Sequence, residues 1–543
     1  MSFRAALILL SLTFGVLFNN HVRSADPSPA KLSGKLDEVL SHYAALGLWN
    51  GTALIAQNDS IVLNRGYGVR TADSSQTNDA STVFLIYSAT KPITATVVLK
   101  LVDDGKLSLD DPINKFFPDF SHGGTITVRH LLSHTSGLYD FTRGNDLAQI
   151  NQQTLIPFLA QKPLDFEPGS GWNYSNSGYY LLGFIIEKVT GKPYEQVVEE
   201  TIFRPLGMRH SGFGYAKLRN PRKAVGFTVL NDKTQQPVDD RQLPDPYAAG
   251  GIYSTTQDLQ LFGQAILGQR LLKPETQQTA FQSVRENYGL GWIVRDVDGK
   301  RVVSHSGGAD GFRSNLLLVP QDGICLVLLD NHETQALESI SGKLLDVMYN
   351  RPVDLPREVP VPAEILERYV GTYQLPPNLM VYVSVADGRL VAQPAGQRPE
   401  TGLAKSNTKF YFPEADLTAE FVGADEGDEQ EVIIDRQGDS RRGKRVQAVW
   451  GILGTATPLG WEGQNDLPLD EQEPGLWVAD QVELTDGEFK FRLNNDWTIN
   501  FGQGQSTDGL VADGPNIRAS AGTYKITLDL RDRGQPKFEL QAR

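Results

Sequence analysis

The sequence predicts an α+β domain followed by two small all-β domains. Three observations carry this. Between residues 31 and 350, amphipathic helical stretches alternate with apolar runs bounded by Gly, Pro and Asn. The segment RPVDLPREVPVPAEI then interrupts the pattern, and Pro at that spacing fits neither a helix interior nor a central strand, so residues 351–362 read as a linker. Beyond it, period-two alternation in LMVYVSV and KFYF, broken by turn-like DG and GQ, predicts a small β-domain over 363–448. GEFKFRL, DWTINFG and TYKITLDL predict a further β-sandwich over 449–543.

With 543 residues, 40% hydrophobic and 21% charged, the chain is too long for one core and ordinary in composition. A net charge of −14 argues against a surface built to neutralise phosphates, so no nucleic-acid partner is expected. At the N-terminus, Arg4 and the apolar run Ala5 to Phe18 have the layout of an export signal, cleaved after Ser24, with Ala25 a near alternative. That run is short for a spanning helix and no second one follows. The expected mature protein is therefore exported, periplasmic or secreted, with no transmembrane span. The single cysteine, Cys325, lies in the apolar run ICLVLLD, which excludes an internal disulfide or thiolate metal site and fits a small core residue. It also leaves no cysteine for a lipid anchor at the cleavage site.

The chemistry is concentrated in YSATKPITATVVLKLV. A serine hydroxyl needs a base, and a lysine serves only when burial or neighbouring charge lowers its pKa. Ser88 and Lys91 stand three apart, hence on one helix face, with Ser88 at the helix start where unpaired N–H groups can hold an oxyanion. Ser28/Lys31 and Ser406/Lys409 have the same spacing, but neither precedes a helical run such as Ile93, Val97, Val98 and Leu101.

Tyr174-Ser175-Asn176 and His305-Ser306-Gly307 follow in that order. In order and spacing the three segments resemble the motifs of serine penicillin-recognising enzymes, in which S-x-x-K is joined by S-D-N and K-T-G. The Y-x-N form is similar to the branch holding class C β-lactamases, esterases and DD-peptidases. ITVRHLLSHTSGL, IFRPLGM, AAGGIYSTTQDLQLF and YGLGW are also typical of that branch, and the resemblance covers about 300 residues. It implies an antiparallel sheet flanked by helices plus an all-helical region.

The resemblance further implies that Ser88 is the acylated nucleophile and Lys91 its base. Tyr174 would protonate the leaving group or activate the deacylating water, and Asn176 would bond the substrate amide. Ser306, Gly307 and Gly308 would border the substrate on a strand entered at His305, with Gly307 or Gly308 supplying an oxyanion N–H. His305 takes the place of the lysine in K-T-G. A group with an ordinary pKa near 6.5 is mostly neutral at pH 7, which weakens the case for strong penicillinase activity. Arg313 could recognise a carboxylate instead, or be a surface arginine on a strand.

The expected activity is therefore that of a D-alanyl-D-alanine carboxypeptidase-like or D-amino-acid peptidase or amidase. A carboxylesterase or weak β-lactamase would use the same residues, and a non-catalytic peptide or glycan receptor is the reading from another class. No cofactor is expected. His130 and His134 are four apart, but no Glu follows His130 and no third ligand is evident, so a structural role is expected rather than a metal site. ILERYVGTYQLPP resembles the start of lipocalin-like domains appended to such hydrolases, and the last module is similar to carbohydrate-binding domains of starch-utilisation proteins. That second likeness makes Trp461, Trp477 and Trp497 candidate sugar faces, with Lys490 or Arg492 as polar partners, against the ordinary expectation that sandwich tryptophans are core.

Overall fold

The computed structural model describes residues 29–543 except 144–149, 231–234, 356, 377–378, 395–398, 424–429, 437–438, 448, 463–465, 474, 505–507 and 532–535; residues 1–24, expected from the sequence to be an export signal, and Ser28 lie outside the described residues. The chain forms two compact units, up to Asp354 and Leu355–Arg543.

The first unit is built on a six-stranded antiparallel sheet. Its strands are β1 (Gly51–Gln57), β2 (Ser60–Gly66), β3 (Ile293–Val297), β4 (Lys300–Ala309), β5 (Phe312–Val319) and β6 (Ile324–Asp330), in the order β2-β1-β6-β5-β4-β3. Every residue of β6 is buried, because the strand is central and both faces of the sheet are covered. Helix α1 (Pro29–Ala45) lays a stripe of Leu36, Val39, Leu40 and Tyr43 inward, at the spacing of one helix face, so Lys31 of the Ser28/Lys31 pair does lie in an amphipathic helix, contrary to the sequence expectation, and helical context alone does not set that pair apart from Ser88/Lys91. It meets helix α5 (Leu337–Met348) through Tyr43 Oη and Ser339 Oγ at 3.1 Å, and α5 meets the sheet where Asn315 Nδ2 donates to Ser341 Oγ. Helix α4 (Thr256–Leu267) covers the opposite face, with Gly263 seated directly on Cys325 and Leu318.

Between β2 and β3 the chain inserts the helical region. Its centre is α2 (Lys91–Asp103), buried on nearly every side from Lys91 to Leu99, beside α3 (Asn176–Thr190), which buries Ser177 to Ile186 without a break. Helices buried on nearly every side belong inside a large core, and these two share one hydrophobic cluster with the sheet. A helix-flanked antiparallel sheet with a helical region is the predicted architecture.

The second unit is a C-terminal all-β region whose described residues include one short helix, Ala363–Arg368. Its nine-stranded antiparallel sheet runs from Gly371 to Val446, and its first strand, Gly371–Leu375, pairs with its last, Asp439–Val446. Tyr369, Tyr373, Phe410 and Phe421 fill its core. Two further sheets carry Trp450, Phe491, Trp477 and Ile526 into a separate shared core, as a sandwich does.

Candidate active site

Ser88 lies in a 3-10 turn, Tyr87–Thr90, that runs straight into α2. It is the one half-exposed residue in the otherwise buried stretch Thr82–Val98. The turn is bent by Tyr87, whose φ of 44° is left-handed, a conformation that costs a bulky side chain energy and persists only where surrounding structure holds it. That support is visible two atoms away. The Ile86 carbonyl accepts the Ser314 hydroxyl of β5 at 2.6 Å.

Lys91 is fully buried at the first position of α2. Its Nζ has three oxygen neighbours: Ser88 Oγ at 3.0 Å, Asn176 Oδ1 at 2.9 Å and the Ala249 carbonyl at 2.9 Å. The two carbonyl-type oxygens can only accept, so they hold two N–H bonds of the amine. The remaining direction points at Ser88, whose hydroxyl can donate. A neutral Lys91 therefore aims its lone pair at the Ser88 proton. Burial brings its pKa down to about 7, opposed in part by the Asp140 carboxylate. The rings of Tyr174 and Tyr179 stand 4.8 and 5.2 Å from Nζ.

Tyr174 hydrogen-bonds Ser88, and burial pushes its pKa above the ordinary phenol value, so it keeps its proton at neutral pH. Asn176 opens α3, capped by the Ser175 hydroxyl. His305 sits in the middle of β4, so the strand begins at Lys300 rather than at the histidine. Its Nε2 faces Tyr288 Oη at 2.8 Å and its Nδ1 the Ser306 carbonyl at 2.7 Å. A carbonyl accepts only, so Nδ1 carries the proton and Tyr288 donates to Nε2. Burial, and then the Lys91 charge, lower the His305 pKa to about 3, so the ring is neutral throughout the neutral range.

The pleat of β4 assigns its other residues. Gly307 faces the nucleophile turn, where a Cβ would fall 2.1 Å from the Ile86 oxygen and 2.8 Å from Ser88 N, so only glycine lets the strand approach. Ser306 and Gly308 lie on the exposed side. Arg313 is neither free to recognise a carboxylate nor a surface residue: its guanidinium pairs with Glu333 at 3.0 Å, and both side chains are largely buried. His130 belongs to a capping box with Thr127. His134 is buried among Trp172, Tyr174, Tyr179 and Tyr288 and accepts from Ser175 N. Among the described residues no group of His, Cys, Asp and Glu is placed to hold a metal ion.

Reading the motifs alone passes over three contributors. Asp140 accepts from Asn176, Tyr288 bonds His305, and the Ala249 carbonyl holds Lys91. Tyr288 and Ala249 fall inside YGLGW and AAGG, which the sequence does flag; Asp140 stands two residues beyond the flagged HTSGL.

In the last module the tryptophans divide. Trp477 is 7% exposed and part of the core, so it offers no face to a sugar. Trp497 is 41% exposed, with the half-buried Trp461 ring 5.8 Å away. Arg492 is buried and paired with Asp466 at 2.6 Å beneath the Trp497 ring, and Lys490 donates to Asn500; neither projects as an open sugar partner.

A serine whose hydroxyl lies between a buried lysine and a tyrosine is an arrangement suited to nucleophilic chemistry, and the sheet-and-helix frame is that of serine hydrolases. The chain belongs to the Beta-lactamase family, which it matches over residues 36–344. Residues 355–445 match a domain family of unknown function, DUF3471. Penicillin-binding protein 4* of Bacillus subtilis (strain 168) is 29% identical over 408 residues, 69% of this chain and 90% of that one. Among solved structures, the octameric penicillin-binding protein homologue from Pyrococcus abyssi superposes with a TM-score of 0.55 at 25% identity, over 76% of this chain and 99% of the other. The D-amino acid amidase from Ochrobactrum anthropi SV3, complexed with D-phenylalanine, gives 0.52 at 26%, over 59% and 99%. Among the described residues no helix is long and apolar enough to cross a membrane.

Proposed function

We propose that the protein hydrolyses amide bonds on the carbonyl side of D-amino acid residues in short peptides or amides, through an acyl-enzyme on Ser88. The observation that carries this is the Lys91 amine, whose two carbonyl acceptors leave its third direction for the Ser88 hydroxyl. Ser88 Oγ attacks the substrate carbonyl carbon as its proton passes to Lys91 Nζ. The C–N bond breaks, and the leaving amine takes a proton relayed through Tyr174. Water then attacks the ester by the reverse route, giving the free acid and restoring Ser88. The turn amide of Ser88 and an amide of β4 at Gly307 or Gly308 receive the oxyanion.

D-configured substrates are favoured by the similarity to a D-amino acid amidase and to penicillin-binding proteins. The neutral His305 disfavours strong penicillinase action, because no fixed cation stands where the K-T-G lysine would. The N-terminal apolar run supports export to the periplasm or beyond.

The test is the intact mass of wild type and Ser88→Ala after a fluorophosphonate and, separately, a penicillin, with D- and L-amino acid amides as substrates. The reading requires a fluorophosphonate adduct on wild type alone and faster turnover of D-amides. A wild type that takes no adduct removes it; an adduct with ester turnover only leaves a carboxylesterase.

The Trp461 and Trp497 pair supports a second, separate reading, that the last module binds a glycan. Exposed indole faces suit the apolar side of a pyranose. Affinity-gel migration of the full chain tests it, and equal migration of wild type and Trp497→Ala in every polysaccharide gel would remove it.

A further inference from the structure

Asp140 gathers four donors on one carboxylate. Thr142 N and Oγ1 reach Oδ1 at 3.0 and 2.9 Å, and Asn176 N and Nδ2 reach Oδ2 at 3.2 and 3.4 Å. The side chain is 5% exposed and lies at the N-terminal end of α3, where a negative charge is favoured. An amide in its place has one accepting oxygen and would set an NH2 group against one of these donors.

The far side of the same Asn176 carboxamide touches Lys91 through Oδ1. Turned over, Asn176 would point its NH2 at the lysine amine and its oxygen at the Asp140 carboxylate, opposing like with like on both sides. The carboxylate therefore fixes which way Asn176 faces.

We propose that Asp140 is a positioning residue of the hydrolase site, locking Asn176 so that its oxygen orients the Lys91 amine. This rests on Lys91 acting as the base for Ser88. Asp140 opposes the burial that lowers Lys91. The other groups facing the amine are kept uncharged: His134 and His305 by burial and by Lys91 itself, Tyr174 and Tyr179 by burial. Tyr288, behind Tyr179 and His305, is likewise held protonated. Arg143, on the far side of Asp140, is paired with Asp165.

The experiment is the pH profile of Ser88 modification by a fluorophosphonate in the full chain. Wild type, Asp140→Asn, Asp140→Glu, Asn176→Ala and the Asp140→Asn/Asn176→Ala double variant are compared, with thermal melts as the folding check. Asp140→Asn should move the acid limb down by about one unit, since losing the carboxylate disfavours the ammonium. It should also lower the alkaline plateau by about tenfold or more, as a misdirected base does. In the Asn176→Ala background the same change should cost less than about twofold on the plateau, because the two residues act as one unit. Asp140→Glu should keep the limb and lose part of the plateau, which also serves if Asp140→Asn does not fold.

Superimposed wild-type and Asp140→Asn profiles would overturn the proposal, as would plateau losses that multiply in the double variant, or an Asp140→Glu plateau equal to wild type. Failure of wild type to react at Ser88 overturns the acyl-enzyme reading itself, and this proposal with it.

Discussion

A Cβ placed on Gly307 would come within 2.1 Å of the Ile86 carbonyl oxygen, so the strand bearing His305 and the turn bearing Ser88 touch backbone to backbone. The contact is doubly fixed, because Ser314 on the next strand donates to that same oxygen. Backbone cannot yield as a flexible side chain does. Gly307→Ala should therefore push the strand away from Ser88, costing about 1–3 kcal/mol of stability and at least ~10-fold in kcat/KM. Denaturant titration and steady-state kinetics check both.

Lys91 predicts the pH dependence. Below its pKa of about 7 the amine holds its proton and cannot take that of Ser88; above it the base is free. The rate of Ser88 acylation should rise about tenfold per pH unit below that point and level off above it, with roughly one molecule in ten competent at pH 6. A rate falling with rising pH across 6–8 would contradict this assignment. Lys91→Met should lower acylation by about 100-fold or more while leaving the fold intact, since the apolar chain fills the same buried space.

His305 adds no inflection of its own between pH 5 and 9, being neutral throughout that range. Tyr288→Phe removes the hydroxyl that bonds its Nε2 and leaves a buried nitrogen without that donor. The variant should lose about 1–3 kcal/mol of stability while the acid limb stays where Lys91 sets it, as urea unfolding beside a pH profile would reveal.

Trp477 and Trp497 should part company under truncation. Trp477→Ala opens the sandwich core and should cost about 3–5 kcal/mol, whereas Trp497→Ala removes an exposed ring and should leave the melting temperature nearly unchanged. Circular dichroism melts of the two variants separate them.

Ser88, Lys91 and Tyr174 are legible because their chemistry dictates residue type and spacing together. The strand of His305 is legible as a strand, and its start at Lys300 is marked by the Asp298-Gly299 turn, both residues at positive φ, which a reading centred on the histidine passes over. Asp140 is invisible because an aspartate in a loop has many uses, and only the fold brings it to Asn176 from a distant stretch of chain. Arg313 misleads for the same reason, its partner Glu333 coming from beyond the following strand. With the tryptophans, alternation gives two faces without saying which is inside; Trp477 shares its face with the buried Ala479, and the packing of the second sheet decides the matter.

Cys325 lies at 0% exposure under Gly263, its thiol pushed up to about 12 by burial. The only sulfur able to form a covalent bridge is thus sealed and unreactive. The fold holds by packing, hydrogen bonds and ion pairs with no disulfide within the chain, so reducing surroundings have no crosslink to remove. A single cysteine added at the surface would accordingly be the one site that a thiol-directed probe could find.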